Sequence, residues 1–116
     1  MSAELVDLSI TQGSSFSIRL EIRDNEGAAE DLTGYGVRGY LKNKYTDTTP
    51  LLDLSPIISN AAGGQIDINV SASVTAALPI TQGIYDIEKY LLSDTTVVFK
   101  IIVGKILINP EVTTEI

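Results

Sequence analysis

The residues of this chain that could do chemistry are almost all carboxylates. Fifteen Asp and Glu stand against eight Lys and Arg, and the 116 residues include no His and no Cys. Imidazole is the commonest general base and transition-metal ligand, so its absence removes most hydrolase and metalloenzyme designs. Without Cys there are neither disulfides nor thiolate sites. Asp86 and Glu88 share a strand face, from which a glycosidase-like pair would be built. Alternation turns Tyr85 and Ile87 inward, however, and predicts two solvated acids with ordinary pKa values. Asp67 with Asn69 reads the same way. Asp24-Asn25-Glu26-Gly27 has the flavour of a calcium loop, but it lacks the ladder of alternate oxygens and the distal bidentate Glu, and reads as a hairpin turn. Gly63-Gly64 precedes neither a Lys-Ser/Thr nor a long helix, so it is no phosphate loop. Serine nucleophiles have no base to activate them. No catalytic residue, cofactor or metal site is expected.

Two features suit binding instead. The first is a stripe of Arg38, Tyr40, Lys42 and Lys44 on one face of a strand, with Tyr45 beside it. Cations there could meet an acidic partner, Tyr40 could stack on a sugar, or the face could simply be solvated, with Lys guarding an edge. The second is Val97-Val98-Phe99-Lys100-Ile101-Ile102-Val103, apolar on both faces. Either the strand is central and covered, or an outer face at Val98 and Ile102 docks on another subunit. Arg38, Tyr40, Lys42, Tyr45, Val98 and Ile102 are therefore the candidate interface residues.

The elements that carry these residues are strands. Period-two alternation runs through Val6, Leu8 and Ile10, and then through Phe16, Ile18, Leu20 and Ile22. It resumes from about Gly36 with Val37, Gly39 and Leu41, and in Leu51, Leu52 and Leu54 before Pro56. Ile66, Ile68 and Val70 make a fifth strand, Ile84 to Leu92 a sixth, and Val97 to Ile108 a long last one with a bulge or bend expected at Gly104. Asp24 to Gly27, Asp31 to Gly34, Asn60 to Gly64 and Ser93-Asp94 read as turns. Ser73 is expected to cap one helical turn that Pro79 stops. Ile-Thr-Gln-Gly occurs at Ile10 and again at Ile80, read as shared turn chemistry rather than a repeat. About seven short strands with such turn spacing predict one all-β domain over residues 1–116, an immunoglobulin-like antiparallel β-sandwich with one short helical turn. A small barrel is the alternative.

The net charge of −7 argues against nucleic acid and against an anionic membrane surface. Met1-Ser2-Ala3-Glu4 lacks the basic start of a signal peptide, and no stretch approaches the roughly 20 apolar residues of a membrane span. A soluble protein made in a cytoplasm is expected. A positive mean hydropathy of +0.20 is high for a small domain, with its large surface per volume. Some apolar side chains are expected to face a partner.

The order of signals resembles the small phage virion domains related to the N-terminal domain of siphophage upper baseplate proteins. The motifs are Ile10 to Phe16, Asp31-Leu32-Thr33-Gly34, Val37 to Leu41, Gly64 to Val70, Ser71 with Thr75-Ala76-Ala77-Leu78, Gly83 to Glu88, and Gly104, Ile106, Ile108 and Pro110-Glu111-Val112-Thr113. They span nearly the whole chain. One departure is Ser93-Asp94-Thr95-Thr96 before the last strand, where the family carries an acidic residue and Gly. The resemblance implies a structural protein of a tailed-phage virion, localised to the particle and made in the host bacterial cytoplasm. It implies a baseplate or tail adaptor or wedge, assembling with other virion proteins in several copies. Larger relatives carry a receptor-binding assembly after this domain; a chain ending at Ile116 is expected to serve as adaptor, wedge or decoration. A capsid decoration protein is the alternative within that class, and a stand-alone carbohydrate- or protein-binding sandwich is the alternative outside it.

Overall fold

A computed structural model describes residues 3–112. Met1, Ser2 and Thr113, the last residue of the final motif, lie outside them. The described residues form two packed β-sheets and one short helix, an all-β sandwich. In chain order the elements are β1 (Glu4–Leu5), β2 (Leu8–Thr11), β3 (Phe16–Glu21), β4 (Tyr35–Lys42), β5 (Leu52–Asp53), β6 (Ile57–Asn60), β7 (Gln65–Val70), α1 (Ala72–Ala76), β8 (Gln82–Leu91) and β9 (Val98–Asn109). The large sheet has the order β1-β9-β8-β4-β5, with β2 also on β9, and the small sheet β3-β7-β6. This is the strand order of an immunoglobulin-like sandwich, with β3, β7 and β6 in the places of strands B, E and D, and β4, β8 and β9 in those of C, F and G.

The described residues form nine strands where seven or so are expected, because the first expected strand is divided into β1 and β2 and Ile57–Asn60 forms a strand after Pro56 that the sequence pattern did not flag. The sheets are not purely antiparallel either. Both β1 and β2 run parallel to β9, pairing Glu4 with Ile102 and Leu8 with Ile106. The chain enters along the strand by which it later leaves, a long-range pairing that periodicity cannot reveal.

The core is aliphatic. Leu32, Leu41, Leu54, Ile66, Ile68, Ile87 and Ile106 are fully buried between the sheets. The alternating positions of β3, β7 and β8 supply six of its sixteen buried apolar residues and β9 four more, which is why period-two reading found the strands. Tyr85 stands near the start of the F-like strand, and its hydroxyl donates to the Val6 carbonyl at 2.6 Å. Burial pushes that phenol up to about 12, with Asp7 adding to the effect, so it stays a donor. Gly104 is needed where β1 leads into β2, because a Cβ there would collide with the Val6 carbonyl. It is a point of close approach in an intact ladder, paired with Tyr85, and not a bulge. The bulge lies at Ile101: Ile87 faces Ile102 while Glu88 faces Lys100.

Smaller differences follow from local chemistry. The helix is capped at Ser71 rather than Ser73, and no side-chain hydrogen bond makes the cap. Its anchor is Thr75, fully buried, whose hydroxyl donates to the Ser14 carbonyl at 2.9 Å. The two Ile-Thr-Gln-Gly copies differ: Gly13 takes φ +76 in a turn, whereas Gly83 is a buried strand residue, so β8 begins two residues earlier than the expected Ile84. The Asp24 turn is a hairpin turn, its carboxylate accepting the Glu26 and Ala28 N–H groups at 2.9 and 3.0 Å.

Candidate functional site

Strand register sets three side-chain rows across the outer face of the large sheet. Arg38, Glu88 and Lys100 form one; Tyr40, Asp86 and Val103 form the next; Lys42, Ile84 and Lys105 form the third. Each row draws one residue from β4, β8 and β9, and each is outward because its neighbours Gly39, Leu41, Tyr85 and Ile87 are buried. Leu5 of β1 lies beside Val103, and Tyr45 reaches over from the loop after β4. Together they line an open groove of about 460 Å³. It holds four of the chain's eight cations but only two of its fifteen carboxylates.

The first row is an ion cluster. Glu88 accepts from Arg38 Nε at 2.5 Å and from Lys100 Nζ, and Lys100 also meets Asp86 at 3.1 Å. Partial burial alone would push Glu88 upward, but the hydrogen bonds from Lys100 and Arg38 outweigh it and hold the carboxyl below its ordinary value. The expectation of an ordinary pKa therefore fails at this residue. Desolvation works against the Lys100 charge too, and its bonds to Glu88 and Asp86 still raise it. A glycosidase-type pair needs one carboxyl shifted upward to donate a proton. Glu88 is shifted the other way. Among the described residues no group of three His, Cys, Asp or Glu converges as metal ligands, and no helix is long and apolar enough to cross a membrane.

Below the ion cluster the groove is amphipathic. Tyr40 is 44% exposed, Tyr45 85% and Leu5 72%. Lys42 and Lys105 make no ion pair among the described residues. Apolar surface flanked by uncommitted cations is suited to contact with a partner.

Of the residues singled out from sequence, Arg38, Tyr40, Lys42 and Tyr45 converge on the groove. Lys44 lies past the end of β4, in the loop, and its N–H donates to Asp47. Val98 is on the outer face but one row higher, beside Tyr90. Ile102 is wrongly assigned to that face: it is 1% exposed, in the core. The Ile101 bulge adds one residue to β9 and inverts the phase of everything after it, so Ile101 and Ile102 are both buried. The coverage expected for this doubly apolar segment is thus intramolecular at Ile102. Ile84 and Lys105 were legible as partners of inward Tyr85 and Ile106, whereas Leu5 required the unseen parallel pairing.

Sequence reading also missed Lys89, which points inward. It is 6% exposed, pairs with Glu30 at 3.2 Å and lies 4.2 Å from the centroid of the Tyr35 ring. Its alternation with Tyr85 and Ile87 signals this burial. Compared with known protein families and with curated proteins, the chain matches none.

Proposed function

We propose that the chain is a structural protein of a tailed-phage particle, a baseplate or tail adaptor or wedge that docks on other virion proteins through the outer face of its large sheet. The observation that carries the docking face is the groove itself. Exposed Tyr40, Tyr45 and Leu5 lie there beside Lys42 and Lys105, on a protein of net charge −7. Aromatic anchors with a charged rim are the usual energetic centre of a protein interface. The ordered motifs that resemble siphophage baseplate domains support the phage setting. A capsid position fits the same face.

Mass spectrometry of purified particles encoded by the same genome tests this reading. The chain is expected in several copies per particle; its absence would overturn the proposal. A second reading, a carbohydrate-binding sandwich, draws on Tyr40 and Tyr45 lining an open groove. Aromatic rings can stack on sugar faces, but the chain has no Trp, the strongest platform for it. A glycan-array signal lost in Tyr40→Ala would favour this second reading, and a flat array with folded protein would remove it.

A further inference from the structure

We infer that the groove receives the opposite end of a second copy of this chain, docked head to tail. The inference rests on the reading of the groove as a docking face and names its occupant.

Among the described residues the cations without an ion pair are Lys42, Lys44 and Lys105. All three lie in or next to the groove. The end of the sandwich where β8 passes into β9 has the reverse character. Asp24, Glu26, Asp31 and Asp94 make no ion pair there, while Arg23 and Lys89 are held by Glu21 and Glu30. Asp31 and Asp94 are each pulled below the usual carboxylate range, by bonds from Thr33 and Thr96 respectively, so both stay charged. These bonds also fix the two turns in place.

The apolar surfaces correspond as well. Leu92 is 63% exposed at this end, and its N–H donates to the Gly34 carbonyl at 3.0 Å. That bond sets it against the Asp31–Gly34 turn, with Asp94 two residues on. An apolar knob flanked by carboxylates thus faces outward at one end. A groove of Tyr40, Tyr45 and Leu5 flanked by lysines lies further down the sheet. Ile84 in the groove and Leu91 at the knob end are separated by roughly 23 Å of strand. One copy cannot bring its own knob to its own groove. A second copy can, and because the two surfaces differ the contact is heterologous and propagates into a ring or filament.

Sedimentation velocity on the purified chain tests this. At low salt, oligomers larger than a dimer are expected to grow with concentration and to dissolve at about 0.5 M salt, where charge pairing is screened. Lys42→Glu with Lys105→Glu removes the groove, and Leu92→Lys with Asp94→Asn removes the knob; the sites are on the surface, and circular dichroism checks the fold. Each variant alone is expected to be monomeric, with association weakened at least tenfold, about 1.4 kcal/mol. Mixed together they are expected to form a one-to-one dimer and nothing larger, since only one intact groove meets one intact knob. A wild type that stays monomeric at about 200 µM in low salt overturns the inference, as does a mixture that stays monomeric. If the wild type is monomeric while Tyr40→Ala with Tyr45→Ala still abolishes incorporation into particles, the docking face stands and the second copy is excluded as its occupant. If the wild type oligomerises as described while that same variant is incorporated normally, the self-contact stands and the virion role of the face falls.

Discussion

On the outer face of the small sheet, Ser17 donates to Asn69 at 2.8 Å and Arg19 grips both oxygens of Asp67 at 2.8 and 3.1 Å. Ser59 adds a third bond to Asp67. Ser17 and Arg19 thus meet the side chains directly opposite them, as strand register allows. On the outer face of the large sheet only the top row behaves this way, with Glu88 shared between Arg38 and Lys100. The lower rows leave Tyr40, Lys42 and Lys105 without such partners. Both faces carry outward charged side chains. What separates them is whether opposite charges fall in register. A face whose groups satisfy one another has little to offer a partner, whereas one with aromatic surface and uncommitted cations gains by being covered.

The largest effect that would break this contrast is on docking. Tyr40→Ala combined with Tyr45→Ala is expected to lower incorporation into particles by about 100-fold, equivalent to about 3 kcal/mol. Ser17→Ala with Asn69→Ala is expected to change it less than twofold. Quantitative mass spectrometry of purified particles reads both, and equal losses on the two faces would end the distinction.

The next effect is on stability and separates the two sides of β9. Ile102→Ala is expected to cost about 3 kcal/mol in urea unfolding, as buried aliphatic truncations do. Val98→Ala, half-buried on the outer face, should cost less than about 1 kcal/mol. Similar costs would mean that the Ile101 bulge does not invert the strand as described.

The smallest effect concerns pH. Glu88 is depressed in the folded state below its ordinary value of 4.5. Its contribution is therefore complete above that ordinary value and is lost as the pH falls through the lower, folded one. Glu88→Gln is expected to flatten the acid limb of the stability profile and to cost about 1 kcal/mol at neutral pH, the scale of a partly exposed ion cluster. Asp67, lowered chiefly by its hydrogen bond from Arg19, gives the small sheet an acid limb of the same sign. Thermal melts of Glu88→Gln and Asp67→Asn between pH 2 and 7 compare the two; an unchanged acid limb in both would contradict the assigned pairings.

Most of the sandwich was legible because its core is built by alternation. Phe16, Ile18 and Leu20 fall in phase, as do Tyr85 and Ile87, and nothing in those strands disturbs the count. Reading failed where the count itself changes. One inserted residue at Ile101 moved Ile102 from the surface to the core, and no residue type marks such a bulge in advance. It failed again where pairing is remote: Leu5 enters the groove only because β1 lies parallel to β9, some hundred positions later in the chain. The groove was half legible. Arg38, Tyr40 and Lys42 announced it from one strand, while their completion by Ile84, Val103 and Lys105 depended on which strands are neighbours.

The parallel seam of β1 and β2 against β9 has a mechanical consequence. The paired residues run from Glu4 with Ile102 to Thr11 with Asn109, and the Val6 and Gln12 N–H groups extend the ladder to Val103 and Asn109. The chain enters this seam at one end and leaves it at the other. A pull on the two ends of the sandwich therefore slides the strands past each other and loads every bond of the seam at the same time. Antiparallel end strands would be peeled apart one bond after another. The seam therefore has shear geometry, in which tension along the strands is shared among its bonds.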